Sequence, residues 1–98
     1  MGKKTYVYTM KFQRVEEELT FEKFVDGLYN AQEYFFRYGD MSIDVAFHFS
    51  KGNKIYELNI NGYQDDAKRY EFSSVEELLS AKVVDGKSIK DIWDELEN

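Results

Sequence analysis

The stretch from Ser42 to Asn61 constrains the fold more than any other part of this chain. Ile43, Val45, Phe47 and Phe49 alternate with Ser42, Asp44, Ala46, His48 and Ser50. After Lys51-Gly52, Tyr56, Leu58 and Ile60 alternate with Ile55, Glu57, Asn59 and Asn61. Period two predicts two strands, and a glycine-containing dipeptide between them predicts a tight turn. Folding the chain at Lys51-Gly52 pairs Ser50 with Asn53. The same register sets Phe47 opposite Tyr56, Val45 opposite Leu58 and Ile43 opposite Ile60. All three pairs share one face, as a half-buried antiparallel hairpin requires. A slip of one residue would set Phe47 opposite Ile55 and destroy the match. The second face is polar except for Ala46 and Ile55, so one face of the sheet is expected to be open, or open to a partner.

Around this hairpin the remaining elements fall into order. Tyr6, Tyr8, Met10 and Phe12 alternate with Thr5, Val7, Thr9 and Lys11, which predicts a strand over Lys4 to Phe12. Glu16, Glu17 and Glu18 end that alternation and read as a connector. Thr20 is a candidate N-cap. Phe21, Phe24, Val25, Leu28 and Phe35 then follow helical spacing, which predicts a helix from about Phe21 to Tyr38, with Gly39 as its C′ residue. Gly27 inside that helix points to a close approach to the sheet, or to a tolerated weakness costing about 1 kcal/mol relative to Ala. Gly62 to Asp66 reads as a turn and Lys68 to Phe72 as a short strand. Ser73 or Ser74 starts a helix with Val75, Leu78 and Leu79 as its apolar stripe. Asp85-Gly86 is a turn dipeptide. Ser88 with Asp91 starts a last short helix, whose Ile89, Ile92, Trp93 and Leu96 share one face. The order β-α-β-β-β-α-α predicts a single α+β domain over residues 1–98. It has two layers, a mostly antiparallel sheet of about four strands with the helices on one face.

Chemistry is constrained mainly by what these 98 residues lack. They hold no cysteine and one histidine, so a disulfide scaffold, a thiolate zinc site, a cysteine nucleophile and a multi-histidine metal site are excluded. His48 faces the polar side of its strand, and its expected cross-strand neighbour is Ile55. Asp44 lies on the same side but four residues along a strand, roughly 13 Å away. An enzyme would need a concave site that gathers His48 with a carboxylate. Asp65-Asp66, Asp94-Glu95 and Glu16 to Glu18 are adjacent acids without the spacing of a calcium loop or of a facing acid–base pair. Asp85-Gly86-Lys87-Ser88 ends like a phosphate-binding loop but lacks its upstream glycine and buried strand. No catalytic, cofactor or metal residue is therefore assigned, and a non-enzymatic protein is expected.

The chain is rich in aromatic residues, with eight Tyr, eight Phe and one Trp. Tyr6, Tyr8, Phe12, Phe47, Phe49, Tyr56, Tyr70 and Phe72 are expected to form the core beneath the helices, and Tyr29, Tyr34, Tyr38 and Tyr63 to be exposed. Base stacking on the sheet would need a basic frame, which is missing. The formal charge is −6. Residues 1–56 hold eight basic and eight acidic groups, whereas residues 57–98 hold five and eleven. Such a surface repels phosphate backbones, and the small basic group Lys3, Lys4, Lys11 and Arg14 does not reverse that. The expected partner is another protein with a basic surface, met by Asp91, Asp94, Glu95 and Glu97. A homodimer using Ile55 on the open face, or an edge strand, is the alternative. No direct nucleic-acid contact and no membrane contact is expected. No apolar run approaches the ~20 residues needed to span a bilayer. Met1 to Met10 lacks the apolar segment and cleavage site of a signal peptide, so a cytoplasmic location is expected.

The segment Tyr70 to Leu96, above all the string DGKSIKDIW from Asp85 to Trp93, resembles the carboxyl end of small uncharacterised proteins of phages, prophages and plasmids of Gram-positive bacteria. The resemblance covers about a quarter of the chain, carries no catalytic motif and transfers no functional residue. It implies an accessory protein of a mobile element, with a host or competing nucleic-acid enzyme as the partner.

Overall fold

A computed structural model of the chain describes residues 3–8, 14–62 and 64–97. Its elements are β1 (Lys3–Tyr8), β2 (Arg14–Leu19), α1 (Phe21–Tyr29), β3 (Tyr34–Tyr38), β4 (Met41–Ser50), β5 (Asn53–Ile60), β6 (Lys68–Phe72), α2 (Val75–Ser80) and α3 (Ile89–Ile92). A 3-10 turn, Trp93–Glu95, follows α3 directly. β1 and β2 pair as an antiparallel ribbon, and β3 to β6 form an antiparallel meander in sequence order. The class is α+β, as expected.

The central hairpin has the predicted register, with Ser50 opposite Asn53, Phe47 opposite Tyr56, Val45 opposite Leu58 and Ile43 opposite Ile60. Lys51 and Gly52 both have positive φ, at 53° and 82°, the pair of left-handed residues that matches strand twist in a type I′ turn. The meander sets Phe36, Ile43 and Ile60 in one row and Tyr34, Val45, Leu58 and Tyr70 in the next. This face carries the core. Phe24 and Leu28 of α1, Val75 and Leu78 of α2, and Ile89 and Ile92 of α3 pack onto it.

Two predicted boundaries are corrected. The helix expected to reach Tyr38 ends at Tyr29, and Tyr34 to Tyr38 form β3 instead. The stop is a Schellman motif: Gln32 N–H donates to Gly27 O at 2.9 Å and Ala31 N–H to Leu28 O at 3.4 Å. Its C′ residue is Ala31, held at φ 60°, rather than the glycine that normally marks such a stop. Gly39 belongs to the two-residue turn between β3 and β4, where its φ of 59° suits the first position of a II′ turn. The acidic connector Glu16 to Glu18 is the second correction, because it lies in β2 opposite Tyr6, Thr5 and Lys4. Pairing with β1 gives these residues a ladder that their own strand propensity does not suggest. The four-stranded sheet therefore gains β3 and does not include the strand predicted near the amino terminus.

The smaller expectations divide. Thr20, Ser74 and Ser88 are N-caps, each accepting a backbone N–H from the residue three positions on. Ser88 and Asp91 complete a reciprocal capping box. Gly27 is a close-approach glycine: a Cβ there would sit 1.8 Å from the Tyr34 hydroxyl. Trp93 is core, stacked on Phe24 at 5.0 Å and edge-on to Phe36 at 5.7 Å. Phe49, expected in the core, is 66% exposed, its ring edge-on to Phe47 at 6.0 Å. Tyr29 is exposed as expected, but Tyr34 and Tyr38 are partly buried against the core. The side-chain placements expected for Tyr6, Tyr8, Lys4 and Arg14, and the readings made at Met10, Lys11, Phe12 and Tyr63, lie outside what is described.

Candidate functional site

The face of the sheet turned away from the helices carries Phe35, Arg37, Ser42, Asp44, Ala46, His48, Ile55, Glu57, Asn59, Arg69 and Glu71. Strand alternation and the observed registers require this assignment. His48 lies opposite Ile55, as predicted. Its chemistry comes from the diagonal neighbour. His48 Nδ1 contacts Glu57 Oε2, and Nε2 lies 3.5 Å from Glu71 Oε2. Arg69 Nε reaches Glu57 Oε1 at 3.0 Å. Glu57 and Glu71 stand directly opposite on β5 and β6, a like-charge pair that is destabilising on its own. His48 from one side and Arg69 from the other relieve it. The cluster lies on an open sheet rather than in a cleft, and the His48 side chain is 33% exposed. The arrangement balances charge across three strands. Among the described residues no cluster of His, Cys, Asp or Glu has the geometry to hold a metal ion.

Ile55 is half-buried beside this network, with charged and polar side chains occupying the face around it. Asp44 is opposite Asn59, and burial raises its carboxyl above the ordinary value. Phe35, 52% exposed, is the large apolar side chain this face offers to solvent.

The four acidic residues singled out near the carboxyl end lie around α3 and its 3-10 turn, and lysines accompany each of them. Asp91 accepts from Lys82 Nζ at 2.5 Å and from Ser88 N at 3.1 Å. These bonds hold its carboxyl down to about 2. Asp91 is thus committed to starting α3. Asp94 and Glu97 face Lys3, whose ammonium also sits 4.9 Å from the Trp93 ring centroid. Burial lowers Lys3 from its ordinary value, against the pull of both carboxylates. Glu95 acts on Lys87, which is raised chiefly by its hydrogen bond to the Tyr38 hydroxyl. Glu97 also pairs its backbone with Arg37, donating to Arg37 O at 2.9 Å and accepting from Arg37 N at 2.7 Å.

A second acidic surface has fewer cations among the described side chains. A concavity of about 380 Å³ lies between β2, α1 and the start of β3. Glu17, Glu18, Asp26 and Glu33 line it with Tyr34 and Gly27, and Lys23 is the one cationic lining residue among the described side chains. Lys23 Nζ itself donates to Glu18 O at 3.3 Å. The early end of α1 makes this groove, because it turns Glu33 out of a helix and onto the approach to β3. The sequence reading missed it for that reason. The signal available was the alternation of Tyr34, Phe36 and Tyr38. Two other concavities, one beside Phe35 on the open face and one between Met41 and Val83, do not include His48.

No helix is long and apolar enough to cross a membrane among the described residues. No family model, curated protein or solved structure matches the chain.

Proposed function

We propose that the chain is a small acidic, non-enzymatic module that binds another protein through a basic surface on that partner. The observation that carries this reading is the groove between β2, α1 and β3, which four carboxylates line with one lysine among the described side chains. Charge complementarity of this kind steers association and selects partners more than it adds affinity. The exposed carboxylates Asp94, Glu95 and Glu97 provide a second region, weaker because Lys3 and Lys87 lie against it. The resemblance of Asp85 to Trp93 to mobile-element proteins extends the reading. The partner is then a cytoplasmic nucleic-acid-handling protein, and the acidic groove occupies the channel that holds its nucleic acid.

The test is capture of partners from a Gram-positive lysate at low and high salt, with Glu17→Lys/Glu33→Lys run beside Asp94→Lys/Glu95→Lys/Glu97→Lys. A basic protein retained at low salt, released by salt and lost with the groove variant supports the reading. Retention that ignores both salt and the two reversals contradicts it.

A second reading, a self-associating structural domain, is favoured by the outer edge of β6, which no strand pairs among the described residues. The open face supports it less, because charged residues surround Ile55.

A further inference from the structure

The two edges of the four-stranded sheet are treated differently. At β3 the carboxyl-terminal segment supplies a bridge, Arg37 to Glu97, in both directions. At β6 no backbone hydrogen bond reaches the strand from outside among the described residues. Edges left open are usually blunted by charge. β6 is charged, with Lys68, Arg69 and Glu71 in five residues, but its charges are complementary to a second copy of itself.

We propose that two copies of this chain pair antiparallel along β6, with Tyr70 opposite Tyr70 of the second copy, joining the two sheets into one. The inference rests on the self-association reading. Geometry restricts the registers. A two-fold axis normal to the sheet keeps each face on its own side, so opposed residues must share a face and their numbers must sum to an even value. Three registers keep most of the strand paired. Centring on residue 69 opposes Arg69 to Arg69, and centring on residue 71 opposes Glu71 to Glu71. Centring on residue 70 opposes Arg69 to Glu71 of the second copy, twice. Charge therefore selects a single register.

Both side chains are about half exposed, at 55% and 51%; within the chain Arg69 Nε lies 3.9 Å from Glu71 Oε1, and His48 Nε2 lies 3.5 Å from Glu71 Oε2. Glu57 holds the Nε of Arg69, which keeps the side chain on the open face and leaves the terminal guanidinium nitrogens for the neighbour. On the other face Tyr70 and Phe72 are only partly buried against the core. The same register covers Tyr70 with its counterpart and sets Lys68 opposite Phe72 of the second copy, a cation–π geometry.

The experiment has two parts. Sedimentation equilibrium of the full chain up to millimolar concentration is expected to give the mass of two chains, and Glu71→Arg to give the mass of one. Mixing Glu71→Arg with Arg69→Glu is expected to restore the dimer as a mixed species, and circular dichroism checks that each variant is folded. The chain has no cysteine, so introduced thiols report cleanly. Arg69→Cys mixed with Glu71→Cys is expected to form a disulfide-linked dimer on oxidation, because antiparallel pairs bring Cα atoms within disulfide range. The mixture also retains one Arg69–Glu71 pair. Neither cysteine variant alone is expected to cross-link. A wild-type chain monomeric throughout would overturn both the pairing and the self-association reading. A dimer in which either cysteine variant cross-links with itself, or which survives Glu71→Arg, would overturn this register and leave self-association standing.

Discussion

Ala31 carries a strain that the chain could shed. Its φ of 60° is costly for any residue with a Cβ, and the Schellman motif at the end of α1 requires it there. Ala31→Gly is expected to stabilise the protein by about 1 kcal/mol in urea unfolding, and no gain would show that the turn is not held as described. Gly27 behaves in the opposite way. Alanine is usually the better helix residue by about 1 kcal/mol. Here its Cβ would meet the Tyr34 hydroxyl, and the Tyr34 ring is fixed by Phe24 at 4.9 Å and Phe36 at 6.1 Å. Gly27→Ala is therefore expected to destabilise by about 1–3 kcal/mol, as overpacking does, with part recovered in Gly27→Ala/Tyr34→Phe. The difference in legibility between the two residues is physical. Glycine in a helix advertises a close approach in the sequence, and alanine in a left-handed turn advertises nothing. The caps at Thr20, Ser74 and Ser88 were legible because a hydroxyl there serves one local N–H.

At the scale of elements, local chemistry and pairing settle different boundaries. The β4–β5 hairpin and the short β6 were readable because turn, alternation and register all agree. β2 was not, since three successive glutamates favour a strand only once β1 lies beside them. β3 was absorbed into a helix because Phe35 continues the helical spacing from Leu28, while the strand period runs through Tyr34, Phe36 and Tyr38. The His48 network shows the same division. The opposition of His48 to Ile55 follows from one turn, whereas Glu71 enters through the β5–β6 register, which the longer Asn61–Ala67 connection does not fix from sequence. Two predictions belong here. Backbone amides of β4 and β5, paired on both sides within the meander, are expected to exchange with solvent most slowly, and those of the β1–β2 ribbon faster. Equal protection of the two would contradict this layout. For α3, the Asp91 carboxyl lies below its ordinary 3.8, at about 2, so its contribution to stability is complete above about pH 4 and is lost as pH falls through about 2. Asp91→Asn is expected to be less stable than the wild type at neutral pH, with the difference closing over that window. A difference that stays constant with pH would remove the ionised carboxylate from the account.

For the molecule as a whole, the net charge of −6 was readable from composition, but its useful distribution was not. The sequence places the excess in the carboxyl-terminal half. Folding sets lysines against it, with Lys82 at Asp91, Lys3 at Asp94 and Glu97, and Lys87 at Glu95. Folding also gathers Glu17, Glu18, Asp26 and Glu33, from a half that is neutral in sum, around one concavity with a single lysine among the described side chains. Electrostatic attraction depends on this local imbalance rather than on totals along the chain. The most direct measurement is a titration of isotope-labelled protein with a short arginine-rich peptide at low ionic strength, followed by amide chemical shifts. The account predicts shifts concentrated on Glu17 to Leu19, on Lys23 to Asn30 and around Glu33, reversed by added salt and abolished in Glu17→Lys/Glu33→Lys. Shifts spread evenly over the exposed acids, or persisting in that variant, would contradict it.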